Sequence, residues 1–465
     1  MLDTALSTIN NLAASQKPRI LMLSHNLGGG VARHLVELSA ALEQQAHVLL
    51  LKPYGDSKRK LCLELPGPES NITVCRLVFA WPEQKDLLWQ MLDWLGIRQT
   101  HVHHVLGWPR NFWTELSSRY DRFDLTLHDH CIFSATNRQQ AVASARSSDG
   151  TVPPVGQYTD ALQLLRLAEQ AGRVFVPSML MERHVRQCFA TLDSPRLEYR
   201  PHPEAEQAGV FASPWLRPLA ISEPMHVLCL GMISVEKGAQ VLATTARLAY
   251  KAGAPLVFHL LGSCHAPLPG NIRRHGSYLD DEIQQLLLRI NPHLLWLPAL
   301  HPETWSYTLS AGLRAGLPVM ATQVGVFPER LQERPLSWLH PASFSAQQWL
   351  DALLDVREFH LLNPGITRQW RYQAAEVFYG SPSYIADPDI TLPPTKKPLS
   401  ALQLSQVLHD ETRQDQKIRQ WLARFLLRLK NSPLLAPFVR LIPYRWQRKV
   451  KRFITRAPLH EERPR

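Results

Sequence analysis

The 465-residue chain contains no apolar run long enough to span a bilayer. Its first stretch, MLDTALSTINNLAASQKPR, has an early Asp3 and lacks an apolar h-region, which argues against a secretory signal. The six cysteines (Cys62, Cys75, Cys131, Cys188, Cys229, Cys264) are scattered, with no C-x-x-C pair, and several sit inside apolar strands. That pattern points to buried free thiols in a reducing cytoplasm. A helical H-x-x-x-H and a His/Cys pairing, the usual marks of a metal site, are also missing.

Charge is sparse and uneven. A fifth of the residues are charged and 45% are hydrophobic, an ordinary balance for a globular protein, and the length leaves room for two or three domains. The formal net charge of +11 is concentrated at one end: residues 396–465 hold 17 Lys and Arg against 5 Asp and Glu, so the body is close to neutral. This argues against a broad nucleic-acid surface and for one localised contact with something anionic.

Arg19 to Ser24 (RILMLS) reads as an apolar strand running into His25-Asn26-Leu27-Gly28-Gly29-Gly30, followed by a helix with Val31, Leu35, Leu38 and Leu42 on one face. Strand, glycine loop and helix present backbone N–H groups and a helix dipole to a phosphate, although a flexible turn fits the same bare pattern. Strands are expected over 47–51 and 72–78, a helix over 86–95, and a strand over 100–105 with His101 and His103 on one side and His104 on the other. A strand over 124–127 leads into His128-Asp129-His130. His25, His104, His128 and His130 fall at or near strand carboxyl ends, where doubly wound sheets bind ligands. A metal site and polar recognition of hydroxyls are the two uses open to them, whereas His101 and His103 read as hydrogen-bonded core imidazoles.

Residues 135–156 read as a polar mobile loop, and the first domain is expected to end near Pro203. After a Pro-containing linker over 204–224, the layout repeats: a strand over 226–230, the loop Gly231-Met232-Ile233-Ser234-Val235-Glu236-Lys237-Gly238, then a helix. A Lys at a helix N-terminus adds a mobile positive charge to an anion site, though a solvated loop lysine has the same spacing. In His301 to Leu331 (HPETWSYTLSAGLRAGLPVMATQVGVFPERL), Pro302 and Glu303 are expected to open a helix with Trp305, Leu309 and Leu313 on its apolar face, followed by a short strand over 317–321. Closing helices are expected over 346–354 and 363–378, a Pro-rich linker over 381–398, and a basic amphipathic tail over 399–465. Arg424, Arg428 and Lys430 alternate with Leu422, Phe425, Leu426 and Leu429 there, a mixture suited to an anionic membrane surface, with a docking segment for another protein or a packed terminal subdomain as the alternatives.

The run from Pro302 to Glu329 resembles the donor-site signature of the family 4 glycosyltransferases, and is similar to a bacterial branch that builds O-antigen and related polysaccharides, with rhamnose or mannose. The resemblance extends to Gly28, Gly29 and Gly30, to the His128-Asp129 turn and to Lys237-Gly238. It implies a GT-B fold: two doubly wound Rossmann-like α/β domains, over 18–203 and 225–380, facing a cleft, with an N-terminal extension over 1–17. It also implies a metal-independent, cofactor-free, retaining transfer of a hexose or deoxyhexose from a nucleotide-diphosphate sugar to a glycan or lipid-linked acceptor. In that role the glycine loop, Lys237 and Gly238 would meet the donor diphosphate, Glu303, Thr304 and Tyr307 the donor, and His128 the transferred sugar. The scattered thiols and the basic tail together lead us to expect a cytoplasmic protein, peripheral at the inner membrane. Two departures stand out: Ala311 occupies the place of a second Glu that holds the nucleotide ribose, and Met232 that of an Arg. They keep a second reading open, a catalytically degenerate GT-B protein that scaffolds another transferase at the membrane.

Overall fold

The computed structural model describes residues 2–55, 59–67, 70–109, 111–120, 122–133, 155–189, 192, 196–206, 211–264, 266–372, 379, 384–385 and 398–408. The expected loop up to 154, most of the Pro-rich linker and the basic tail from 409 lie outside these residues. The chain forms two compact units. Unit 1 holds the described residues up to Pro177, Glu182–Pro203 and those from 379 onward, and unit 2 holds Ser178–Met181 and the described part of Glu204–Ala375.

Unit 1 runs α1 (Leu2–Ala14), β1 (Arg19–Leu23), α2 (Gly29–Ala41), β2 (His47–Pro53), β3 (Lys60–Pro66), β4 (Thr73–Ala80), α3 (Lys85–Leu95), β5 (Gln99–Val102), α4 (Phe112–Arg119), β6 (Asp124–Thr126), α5 (Val155–Gln170), β7 (Arg173–Val176), α6 (Met179–Cys188), whose first residues group with unit 2, and β8 (Leu197–Tyr199). Its strands order as β4-β3-β2-β1-β5-β6-β7-β8. Every residue of β1 is buried, as expected for a central parallel strand covered on both faces. The antiparallel β3 goes beyond the sequence expectation because it carries charge inward: the Glu64 carboxylate is buried between Lys52 at 3.0 Å and Arg76 at 3.1 Å on the two flanking strands. The N-terminal extension is a packed helix, with Ala5, Ile9 and Leu12 buried along one face of α1.

Unit 2 runs β9 (Met225–Ile233), α7 (Ala239–Lys251), β10 (Leu256–Cys264), β11 (Ile272–Gly276), α8 (Ile283–Ile290), β12 (Leu294–Leu297), α9 (Tyr307–Arg314), β13 (Val319–Thr322), α10 (Phe327–Arg330), β14 (Ser337–His340) and α11 (Ala346–Leu362). Its parallel strands order as β11-β10-β9-β12-β13-β14, the doubly wound arrangement. One apolar cluster, built on Trp296, Trp349 and Phe258, fills one face of the sheet, and a second, with Leu228, Leu309 and Phe327, fills the other.

Three segments depart from expectation. The helix expected over 363–378 is not formed in its described part, because Pro364 and Gly365 follow the end of α11; instead Ile366 accepts from the Leu216 N–H and Arg368 donates to Pro214. The described part of 204–224 packs as an integral part of unit 2, where Ala212 donates to Leu313 and Trp215 to Gly316. Tyr379 and Tyr384, expected at the end of the second domain and in a linker, are fully buried in unit 1, where they touch Phe175 and His101. Beyond them, α12 (Ala401–Val407) starts with a Ser400/Gln403 capping box and buries Leu404 and Val407.

Candidate functional site

In unit 2 the strand order reverses between β9 and β12, and such a switch point opens a crevice beyond the strand ends. The loops leaving these two strands are tied together: the Leu300 and His301 N–H groups both donate to the Glu236 carbonyl, at 2.8 and 3.2 Å. Gly238, with φ +82°, turns the first loop into α7, and a Cβ there would collide with the Pro298 carbonyl. Gly325, with φ +59°, lies flat against the backbone of Pro302 and Glu303, and the Val326 N–H donates to the Glu303 carbonyl at 2.9 Å. These restraints bring Lys237 Nζ to 3.2 Å from Glu303 Oε1, both partly exposed.

The helix expected from Pro302 begins five residues later, at Tyr307. The cause is Arg330, whose Nη1 donates to the Trp305 carbonyl at 2.9 Å, the Ser306 carbonyl at 3.2 Å and Ser310 Oγ at 2.9 Å. Ser306 precedes α9 with φ +69°, a left-handed conformation that costs a serine about 1–3 kcal/mol and persists because its surroundings fix it. Glu303 is thus held in a loop by Gly325 and Val326, away from the first turn of α9. Thr304 and Tyr307 are half-buried, and Ala311 is buried in the apolar cluster under α9. Met232 is 58% exposed.

Glu204 is the residue that sequence reasoning missed. It is buried and accepts from Trp305 Nε1 at 2.7 Å, Arg314 Nη2 at 2.7 Å and Ser310 Oγ, with Arg330 Nη2 at 3.8 Å. Arg330 stacks over the Trp305 ring at 4.0 Å. In sequence Glu204 closes a Pro-rich stretch and looks like the end of a domain. The one available signal was Trp305, because a buried indole N–H needs an acceptor.

Unit 1 has its own switch point, between β1 and β5. Gly28 is buried, and Gly29 and Gly30 open α2 with their backbone exposed, so the helix N-terminus offers free N–H groups. Around it lies a cluster of imidazoles. His25 and His104 pack at 4.5 Å between ring centroids, and His104 Nε2 lies 3.4 Å from Asp129 Oδ2. Burial, then the charge of His104, pushes His25 down to about 4. Burial raises the Asp129 carboxyl, but the hydrogen bond and charge of His104 and the Cys131 N–H outweigh it, so the net shift is downward. His128 is partly exposed past the end of β6, with its Nε2 3.0 Å from His103 Nδ1. Desolvation, followed by the charges of His34 and His104, holds it well below the usual histidine value, so it is neutral at pH 7. His101 is the core imidazole expected, with Nδ1 2.7 Å from Tyr384 Oη and Nε2 2.8 Å from Thr126 Oγ1. His103 is equally buried and stacks on it at 4.0 Å, but its Nε2 has no hydrogen-bond partner among the described residues. The sequence-derived residues therefore fall into two groups: Lys237, Gly238, Glu303, Thr304, Tyr307 and Ala311 in unit 2, and Gly28, Gly29, Gly30 and His128 in unit 1.

No protein-family model matches the chain, and no curated protein matches it either. Solved structures do. TarM from S. aureus superposes with a TM-score of 0.50 at 10% identity, covering 75% of this chain and 93% of its own. Sucrose-phosphate synthase from Thermosynechococcus elongatus gives 0.49 at 16% identity over 74% and 90% of the two chains. HepE from Anabaena, solved with UDP and glucose, gives 0.42 at 14% identity over 73% and 89%. Identities this low speak to architecture alone, and the match to TarM carries it: the chain has the GT-B fold, with two Rossmann-like α/β domains.

Proposed function

We propose that the protein is a glycosyltransferase that moves a hexose or deoxyhexose from a nucleotide-diphosphate sugar to a glycan or lipid-linked acceptor, with retention of configuration. The observation that carries this reading is the Lys237–Glu303 contact at the β9/β12 switch point, a cation and a carboxylate held by rigid loops where such sheets bind ligands. In the transfer, Lys237 supplies positive charge to the departing diphosphate without a metal, and the N–H groups opening α2 and α7 add fixed dipoles. Glu303 accepts from sugar hydroxyls, and neutral His128 hydrogen-bonds the transferred sugar. UDP bound to the structurally similar HepE makes a uridine donor the first to try. A rhamnose or mannose donor and bacterial surface polysaccharide synthesis are the finer assignment, resting on the wording of Pro302 to Ser310. The excess of Lys and Arg over 396–465 supports attachment to an anionic inner-membrane surface from the cytoplasmic side.

Calorimetric titration with UDP, GDP and dTDP tests the donor site. Saturable binding of one of them, weakened at least tenfold by Lys237→Ala, is the expected result. Binding of none would sink the transfer and leave the scaffold reading, which Ala311 in the apolar cluster and the exposed Met232 favour. Proton NMR of the product's anomeric centre tests retention. Co-sedimentation with phosphatidylglycerol vesicles, lost at high salt, tests membrane attachment.

A further inference from the structure

We infer that His34, His103 and His128 form a binding site for one divalent transition ion of the imidazole-preferring class, such as Zn²⁺ or Co²⁺. The three come from separate parts of unit 1: His34 from the second turn of α2, His103 from just beyond β5, and His128 from just beyond β6. One potential ligand atom from each lies within 4.8 Å of the other two. Imidazole nitrogens on a tetrahedral ion stand about 3.4 Å apart, with metal–nitrogen bonds of about 2.0–2.1 Å, so side-chain rotation suffices to close the set.

His34 supplies the second, independent observation. It is completely buried, yet neither of its ring nitrogens has a hydrogen-bond partner among the described residues. Its ring faces the other two, with centroids 5.4 Å from His103 and 4.8 Å from His128. A buried polar atom without a partner calls for an unseen ion or water. The neighbouring imidazoles show what satisfied ones look like here: His101 has both nitrogens bonded, and His25 and His104 accept from the Leu27 and Leu106 N–H groups. All three members of the proposed set are neutral at pH 7, the form that ligates. On loading, the His103–His128 contact opens, each ring keeps its single proton on the nitrogen turned away from the ion, and all three lone pairs face the metal. The fourth position is left to water or to His202, whose ring centroid is 4.3 Å from that of His34.

The ion would staple α2 to the ends of β5 and β6. This goes beyond the transfer reading and does not rest on it: His128 is common to both, with the N–H turned away from the ion left for the sugar, while the cation assigned to the donor diphosphate is Lys237 in unit 2.

The experiment uses full-length protein with a histidine-free affinity tag, stripped with chelator and titrated with Co²⁺ and Zn²⁺. Calorimetry should give one ion per chain, the melting temperature should rise and saturate at one equivalent, and bound Co²⁺ should show the intense visible bands of a tetrahedral site. His34→Leu and His103→Gln should each lose at least tenfold in affinity, while His275→Gln in unit 2 should bind as the parent does. If these variants fail to fold by circular dichroism, X-ray absorption of the zinc-loaded parent decides: three or more imidazoles support the site and fewer overturn it. Absence of saturable binding, which would leave the cluster to water, or unchanged binding in a folded His34→Leu, also overturns it.

Discussion

Lys237 Nζ and Glu303 Oε1 lie 3.2 Å apart across two loops that share the Glu236 carbonyl as an anchor. In the transfer proposed above, an incoming diphosphate would compete with Glu303 for the same ammonium group. Lys237→Ala should therefore weaken nucleotide-diphosphate binding by about 10- to 100-fold, the worth of one charged hydrogen bond. Glu303→Gln should leave that affinity equal or higher, because the competing carboxylate is gone, while turnover of the intact sugar donor falls. Calorimetry and an initial-rate assay on the two variants separate these effects, and a Glu303→Gln protein with full turnover would remove Glu303 from the mechanism.

Glu204 is the buried anion that Arg314, Arg330 and Trp305 all require. Replacing it with Ala strands two guanidinium groups, one of them fully buried, and should cost about 3–5 kcal/mol. Urea denaturation followed by tryptophan fluorescence measures this, and a loss under 1 kcal/mol would mean that water replaces the carboxylate.

Gly238 is a backbone requirement. With φ +82° and the Pro298 carbonyl where a side chain would go, Gly238→Ala should destabilise unit 2 by at least about 1–2 kcal/mol, the cost of left-handed backbone alone, and should displace Lys237. Thermal melts and the nucleotide titration should both register it. An unchanged melt would show that the loop has another conformation within reach.

Acid should destabilise the protein before its carboxylates titrate. Burial pushes His259 and His293 down to about 3, with His226, His275 and Arg273 adding to the shift at His259, and Arg217, His360 and His226 at His293. In the unfolded chain both take up a proton near pH 6.5, and in the folded chain only near pH 3. Unfolding is therefore coupled to proton uptake, and stability falls from pH 6.5 downward by about 1.4 kcal/mol per pH unit for each. Denaturation midpoints at pH 7.5, 6.0 and 5.0 should decline in that order, with a shallower slope in His259→Gln/His293→Gln. Equal slopes would place the acid sensitivity in other groups.

The doubly wound pattern was legible because β1, β9, β12 and β13 are short, mostly apolar runs, and Gly28 to Gly30 and Lys237-Gly238 mark the loops that follow β1 and β9. Hidden features depend on pairing across the fold. The charges of β3 disguise a strand because Lys52 and Arg76, from other strands, neutralise Glu64. The delayed start of α9 depends on Arg330, which lies after the helix it shortens. His34 occupies the buried face of α2 with Leu35 and Leu38, so it reads as one more core position until the ends of β5 and β6 are placed beside it.

Tyr379 and Tyr384 enter the core of unit 1 from the far end of the described chain. During vectorial synthesis, the part begun first is therefore finished last. Nearly all of unit 2 lies within 204–372 and can close as soon as it leaves the ribosome, whereas unit 1 must wait with His101 and Thr126 lacking their phenol partners. A nascent chain arrested before 384 should expose an unfinished N-terminal unit to proteases and chaperones while its later-made neighbour is already folded.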